Sequence, residues 1–563
     1  MCCDLIIMSR HVFTGIDDVA QPLALCIREG KIEAVVPLQT AVVAEGALTY
    51  DALPENLKPY ADEHTTIMAY GDAFICAGLH DAHVHVFHSA LYSSPLAEQF
   101  LGENEADCVA RLAPLAARRD HGWLLAQGWR EYRWNPPVLP SKHSLDAAYP
   151  DRPVALYSGD AHTLWLNTCA METLGITDAS QPPEGGSYDR DEEGHLTGII
   201  RETAAMELMP RIVASFTQDE LLGAYKDFLH RCSSLGLTAL CDVSLMAHPG
   251  LDFVRDDLYK ALLEREGLPV RIHMFPTLLD SLERFENLHK SLTGPYLQAP
   301  GLKQFYDGVS SQHTAYVKEP YTNARCENDC GHRTMPFEEM KKLVYAAAEK
   351  GYEVRVHTIG DQAIHEMLDI YEGAQELYGM PTNGHHTLEH LENFQPDDID
   401  RVARLGVIAS VQPCHITLDP GGPERDLGEE RVPYMWPFAT YLKVGALMAF
   451  GTDSPVVDVN PFASLYTAVT RKDARSHAPE GGWQAQECIS MADALRAYTV
   501  GSAQAAGRTD IGTLAPGMWA DFTVLDTNLL SAETEEEPER ILETQVQATY
   551  VAGDCVFEQV VNE

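Results

Sequence analysis

The chain has 563 residues, 45% of them hydrophobic, enough for a large core and too many for one ordinary domain. Its 41 lysines and arginines stand against 83 aspartates and glutamates, and a formal charge of -42 repels phosphate backbones and anionic headgroups, which excludes nucleic-acid and membrane-surface binding as expectations. The charged fraction is only 22%, so this is a globular chain short of bases and not a disordered polyanion.

No run of 18 apolar residues is present, so no transmembrane helix is expected. The start, Met1 to Met8, lacks a basic region and a long apolar stretch, so no secretory signal is expected either. Thirteen cysteines without a framework fit a reducing cytoplasm. Cys326, Cys330 and His332 are close enough in sequence for a structural zinc but lack a fourth partner nearby, and the stretch reads as an ordinary loop. The acidic run around Glu533 to Glu537 reads as a solvated loop.

Along the chain, Leu5-Ile6-Ile7, Leu23 to Arg28 and Lys31 to Val36 read as short strands, with Glu29-Gly30-Lys31 as a hairpin turn. The C-terminus has the same character in Asp521 to Leu525, Val546 to Val551 and Cys555-Val556-Phe557. One small β-sandwich domain assembled from residues 1–72 and 512–563 is expected. Between them, over 73–511, short apolar runs alternate with helical patterns, the signature of parallel βα units. Eight strands are expected: Ala73 to Ala77 leading into His83, then Leu237 to Cys241, Val270 to Phe275, Leu302 to Tyr306, Glu353 to His357, His386 to His390, Val407 to Val411 and Ala446 to Phe450. Eight such units favour a (β/α)8 TIM-like barrel with its active site at the C-terminal strand ends. The stretch 87–216 is far too long for a βα loop and is expected to be an inserted, folded cap over the mouth.

The strand ends carry the chemistry. An extended strand points alternate side chains to one face, so His83 and His85 in Leu79-His80-Asp81-Ala82-His83-Val84-His85 leave the first strand side by side. Alone, such a pair is either half of a metal site or two hydrogen-bonded histidines. Downstream, Lys303 lies on the fourth strand, His357 ends the fifth, His390 ends the sixth, and the eighth runs into Asp453. Each has an ordinary structural alternative, a helix N-cap in the case of Asp453. Their joint placement on one edge of five strands points to a metal site. Histidine and carboxylate ligands suit zinc or another borderline divalent ion, which would lower the pKa of a bound water and polarise a scissile carbonyl.

The chain resembles the amidohydrolase superfamily, specifically the family-3 branch that includes N-substituted formamide deformylases. The resemblance rests on Ala77 to His85, on Gln127-Gly128-Trp129-Arg130-Glu131 and Asp160 to Asn167 in the insertion, and on Leu302 to Gly308, Val356 to Ala363, Leu388-Glu389-His390 and Gly512 to Asp521. It departs from the family at Ala77, His80 and Arg130, and in Val309 to Thr314 after the fourth strand. The resemblance implies that His83, His85 and Asp453 hold one metal and that His357 and His390 hold a second. A carbamate on Lys303 would lie between them; with a free ammonium there the site would be mononuclear. It also implies Asp453 as the proton shuttle and an assembly of dimers or larger. His162 and His415 are candidates for binding substrate or an oxyanion. Trp129, with Trp134, Tyr157 and Trp165, either lines a pocket or packs in a core.

The expected reaction is hydrolysis of a non-peptide carbon–nitrogen bond in a small molecule, an N-acyl or N-formyl amine or a cyclic amide, with the insertion setting the substrate. Two alternatives remain at this level. One is deamination of an aminated heterocycle at a mononuclear site; the other is a barrel without catalysis that acts in assembly, for which ligands would be missing.

Overall fold

The computed structural model describes residues 2–38, 45–159, 163–183, 186–245, 252–382 and 384–559. Strands from both ends of the chain form one nine-stranded sheet, in which Phe522–Leu525 pairs antiparallel with Phe74–Ala77 and on its other edge with Val546–Val551. The strand Leu5–Phe13 pairs with Thr66–Tyr70 over its first half and with Phe74–Ala77 over its second, so the sheet forks along it. Alternation along that strand sends Ile6 and Met8 to one core and Ile7 to another, and an irregularity between Ser9 and Val12 brings Val12 to the side of Ile7. The hairpin between Gln21–Arg28 and Lys31–Pro37 turns on Glu29 and Gly30, both at positive φ (50° and 75°), which matches the twist of the flanking strands.

Eight parallel strands follow in two arcs. The first holds Leu79–Val84, Leu237–Val243 and Arg271–Phe275; the second holds Gly301–Phe305, Glu353–Thr358, Thr387–His390, Ile408–Val411 and Leu447–Phe450. Parallel bridges join the arcs at both seams, Thr277 with Lys303 and Val84 with Ser454. This is the (β/α)8 arrangement, and its helices carry apolar faces. The helix Asp361–Tyr378 buries Ile364, Met367, Leu368 and Tyr371, the three-and-four spacing of one helical stripe.

The apolar run before His83 proves to be two strands. Phe74–Ala77 belongs to the terminal sheet, which therefore extends past residue 72, and the barrel begins only at Leu79. Gly78 makes the change of sheet possible, because a Cβ there would lie 2.1 Å from Thr238 Oγ1.

A second compact unit comprises 87–228 together with 257–266 and so ends later than residue 216. Its six-stranded sheet starts parallel, with Ala97–Gln99, Leu124–Trp129 and Val154–Ser158, and continues antiparallel through Thr163–Leu166 and Leu196–Glu202 to Gly186–Arg190. Among the described residues no helix is long and apolar enough to cross a membrane.

Candidate metal centre

His83 lies near the end of the first barrel strand and His85 one residue beyond it. Both rings aim Nε2 at one carboxylate oxygen: Asp453 Oδ1 is 3.0 Å from His85 Nε2 and 3.4 Å from His83 Nε2. The opposite nitrogens are held by groups that only accept. His85 Nδ1 donates to the Val243 carbonyl at 2.9 Å, and His83 Nδ1 donates to Glu389 Oε2 at 2.7 Å. Both imidazoles therefore carry their proton on Nδ1 and present a bare Nε2.

Asp453 is placed by the turn that follows the eighth strand. Its φ is +57°, a region that aspartate tolerates better than most residues, and its amide donates to the His83 carbonyl at 2.7 Å. Gly451 permits the close approach, since a Cβ there would meet His83 Cβ at 2.7 Å. Asp81 ties the two segments together, accepting from His83 N, Thr452 N and Thr452 Oγ1 at 3.1, 3.0 and 2.6 Å. Burial pushes the Asp81 carboxyl up to about 6.

His390 stands across the site, its ring 5.0 Å from that of His83 and 4.4 Å from that of His357. The Gln412 side-chain oxygen accepts from His390 Nδ1 at 2.8 Å, and the Gly308 carbonyl accepts from His357 Nε2 at 3.1 Å, which leaves one nitrogen of each ring bare. His415 stacks parallel to His390 at 6.1 Å with Nε2 3.9 Å from Asp453 Oδ2. Lys303 is fully buried, its Nζ 4.6 Å above the Phe305 ring, and burial pushes the amine down to about 8.

Two sets, His83–His85–Asp453 and His390–His415–Asp453, each bring their ligand atoms within 4.8 Å of one another. His83 Nε2, Asp453 Oδ1, His415 Nε2 and Lys303 Nζ are buried without a hydrogen-bond partner among the described residues. Buried polar atoms converging unpaired in this way, from histidine and carboxylate donors, fit a borderline divalent cation.

The structure thus gathers His83, His85, His357, His390, His415 and Asp453, with Lys303 inside the same barrel. It does not make Trp129 a binding residue. Trp129 is 1% exposed, donates Nε1 to the Leu156 carbonyl at 3.0 Å, and packs with Trp134 and Trp165 in the core of the second unit. His162 lies outside the described residues. Asp81, Glu389 and Gln412, which hydrogen-bond to His83 or His390, are not among the residues expected from the strand ends, although Glu389 stands beside His390 in the chain.

A third set of metal-competent side chains, His80, Cys241 and His273, lies on the first three barrel strands, three residues back from His83. Here Arg508 Nη1 donates to His273 Nε2 at 3.1 Å, so that lone pair is already taken. Burial pushes the Cys241 thiol up to about 12 and His80 down to about 3, leaving both neutral.

The sequence pattern of the amidohydrolase family matches residues 71–557. The chain is 28% identical over 541 residues to the putative amidohydrolase YtcJ of Bacillus subtilis, across 95% of this chain and 97% of that one. It is 25% identical over 440 residues to the N-substituted formamide deformylase of Arthrobacter pascens, across 75% of this chain and 76% of that one. The crystal structure of an uncharacterized metal-dependent hydrolase from Pyrococcus furiosus superposes with a TM-score of 0.71 at 25% identity, covering 94% of this chain and 100% of the other. The barrel and its metal-competent strand ends lie inside the matched span, and the chain belongs to the amidohydrolase family.

Proposed function

We propose that this hydrolase cuts a carbon–nitrogen bond other than a peptide bond, in an N-acyl or N-formyl amine or a cyclic amide. The observation that carries the reading is the convergence of His83 Nε2 and His85 Nε2 on Asp453 Oδ1, with His390 and His415 alongside. Similarity to a deformylase of N-substituted formamides supports the amide class. Zinc or a similar ion fits His83, His85 and Asp453, with His357, His390 and a modified Lys303 for a second. When bound, such an ion supplies Lewis acidity toward the amide carbonyl and acidifies water.

The chain's own residues then divide the remaining work. Asp453, its Oδ1 lying between His83 and His85, takes the proton of the attacking water and passes it to the leaving nitrogen. In this reading His415 is not a ligand: with its proton on Nε2, 3.9 Å from Asp453 Oδ2, it donates to the substrate carbonyl oxygen as that oxygen gains charge. Lys303 would repel cations as an ammonium. As the neutral amine it adds to carbon dioxide, forming one N–C bond and releasing one proton, and so becomes an anionic carbamate.

A screen of N-acyl amines, N-formyl amines and cyclic amides, with and without chelator, tests this reading. Amine and carboxylate should appear together, stop on chelation and return with added metal. Hydrolysis that survives complete metal removal sinks the reading, and release of ammonia from an aminated heterocycle makes the protein a deaminase instead.

A further inference from the structure

Glu389 and Arg355 lie inside the barrel with no solvent exposure. Glu389 Oε1 accepts from Arg355 Nε at 2.5 Å, while Oε2 accepts from His83 Nδ1 at 2.7 Å. Arg355 is itself anchored: Nη2 donates to the Ala82 carbonyl at 2.7 Å and to Ser410 Oγ at 3.3 Å, and the guanidinium lies 4.4 Å over the Phe275 ring. The carboxylate thus spans two donors, one of them an arginine that cannot become an acceptor.

We propose that Glu389 is a positioning residue that fixes the proton of His83 on Nδ1, and that the fixed Arg355–Glu389 pair is what keeps the His83 Nε2 lone pair aimed at the metal corner. The proposal rests on the reading of His83 as a ligand. Its physical content is an accounting of acceptors. Only a group with two accepting oxygens can satisfy Arg355 and His83 together. A glutamine has one oxygen and one NH2, and the guanidinium, having no lone pair to offer, takes the oxygen. The NH2 then faces His83 Nδ1 and pushes the ring proton to Nε2, the nitrogen that has to be bare to ligate.

The consequence is a rescue that a purely structural role would not produce. With Arg355→Met alongside Glu389→Gln, the glutamine oxygen is free to face His83, and the right ring state returns. The experiment titrates metal-free wild type, Glu389→Gln, the double variant and His83→Ala with zinc against a chromophoric chelator, and follows folding by thermal melting. Glu389→Gln should weaken zinc binding about 10- to 100-fold, and the double variant should recover most of that loss. Unchanged affinity in Glu389→Gln, or a double variant as weak as the single one, overturns the proposal. If Glu389→Gln does not fold, the double variant alone decides: near-wild-type affinity supports the proposal and a tenfold loss overturns it. His83→Ala separates the two levels, because zinc stoichiometry that does not change there removes His83 as a ligand, whatever Glu389 does.

Discussion

The first barrel strand carries two sets of metal-competent residues, three positions apart, and they have opposite characters. At the rim, His83 and His85 face the Asp453 carboxylate, and acceptors on their far sides leave both Nε2 atoms bare. Deeper in the barrel, His80, Cys241 and His273 are equally close-set and equally buried, yet a guanidinium occupies one lone pair and the thiol stays protonated. Residue type and spacing are the same in kind; the charge of the partner differs. A carboxylate among imidazoles invites a cation, whereas Arg508 at the ring nitrogen repels one and fills its place.

The largest effect expected at the rim follows from removing that carboxylate. Asp453→Asn keeps a residue that tolerates φ +57°, so the fold should persist while turnover falls by about 10²- to 10⁴-fold, the usual worth of a positioned acid–base group. Turnover together with a thermal melt checks this, and near-normal turnover removes Asp453 as the shuttle. A matched pair of variants comes next. His85→Asn should lower the metal content per chain, whereas His273→Asn should leave it unchanged and cost stability, about 1–3 kcal/mol for a buried polar group left without its partner. Metal analysis of both proteins decides, and equal losses would erase the distinction between the two sets.

The cations differ as well. Deep in the barrel, Arg271 is paired with Asp521 at 2.6 and 2.8 Å and Arg508 with Asp510 at 2.7 Å. At the rim, Lys303 Nζ has no hydrogen-bond partner among the described residues. Its drop from 10.5 to about 8 corresponds to about 3 kcal/mol, at about 1.4 kcal/mol per pH unit. The unfolded chain holds this proton up to about pH 10.5 and the folded chain only below about pH 8, so wild-type stability rises with pH between those limits and the full penalty applies below them. In metal-free, carbon-dioxide-free protein, Lys303→Met should therefore be more stable than wild type by about 3 kcal/mol at pH 7, with the advantage fading by pH 10.5. Urea unfolding at the two pH values checks it; a pH-independent difference would mean that the lysine is not the source.

Much of this was legible from the chain. Seven of the eight barrel strands fall where the sequence places them, and the metal-competent rim residues are legible because they sit on or just beyond those strand ends. The break at Gly78 was not, because an apolar run does not say which sheet it joins; only the approach of Thr238 does. Glu389 escaped for a related reason. Strict alternation would send Glu389 and His390 to opposite faces, but φ +73° at His390 turns the chain, so neighbours serve the same centre. Trp129 went the other way, since an aromatic residue in a branch motif looks the same whether it lines a pocket or fills a core.

The smallest expected effect tests the deep set most cleanly. Cys241 Sγ meets His80 Nε2 at 3.5 Å, a weak contact for a thiol that burial keeps neutral. Cys241→Val replaces it with a side chain of similar size on a fully buried strand, so the change in stability should stay below about 1.5 kcal/mol. Metal content and turnover should not move, because no lone pair of the rim is touched. A lost metal equivalent in Cys241→Val would show that Arg508 yields to a cation after all, and that partner charge does not separate the two sets.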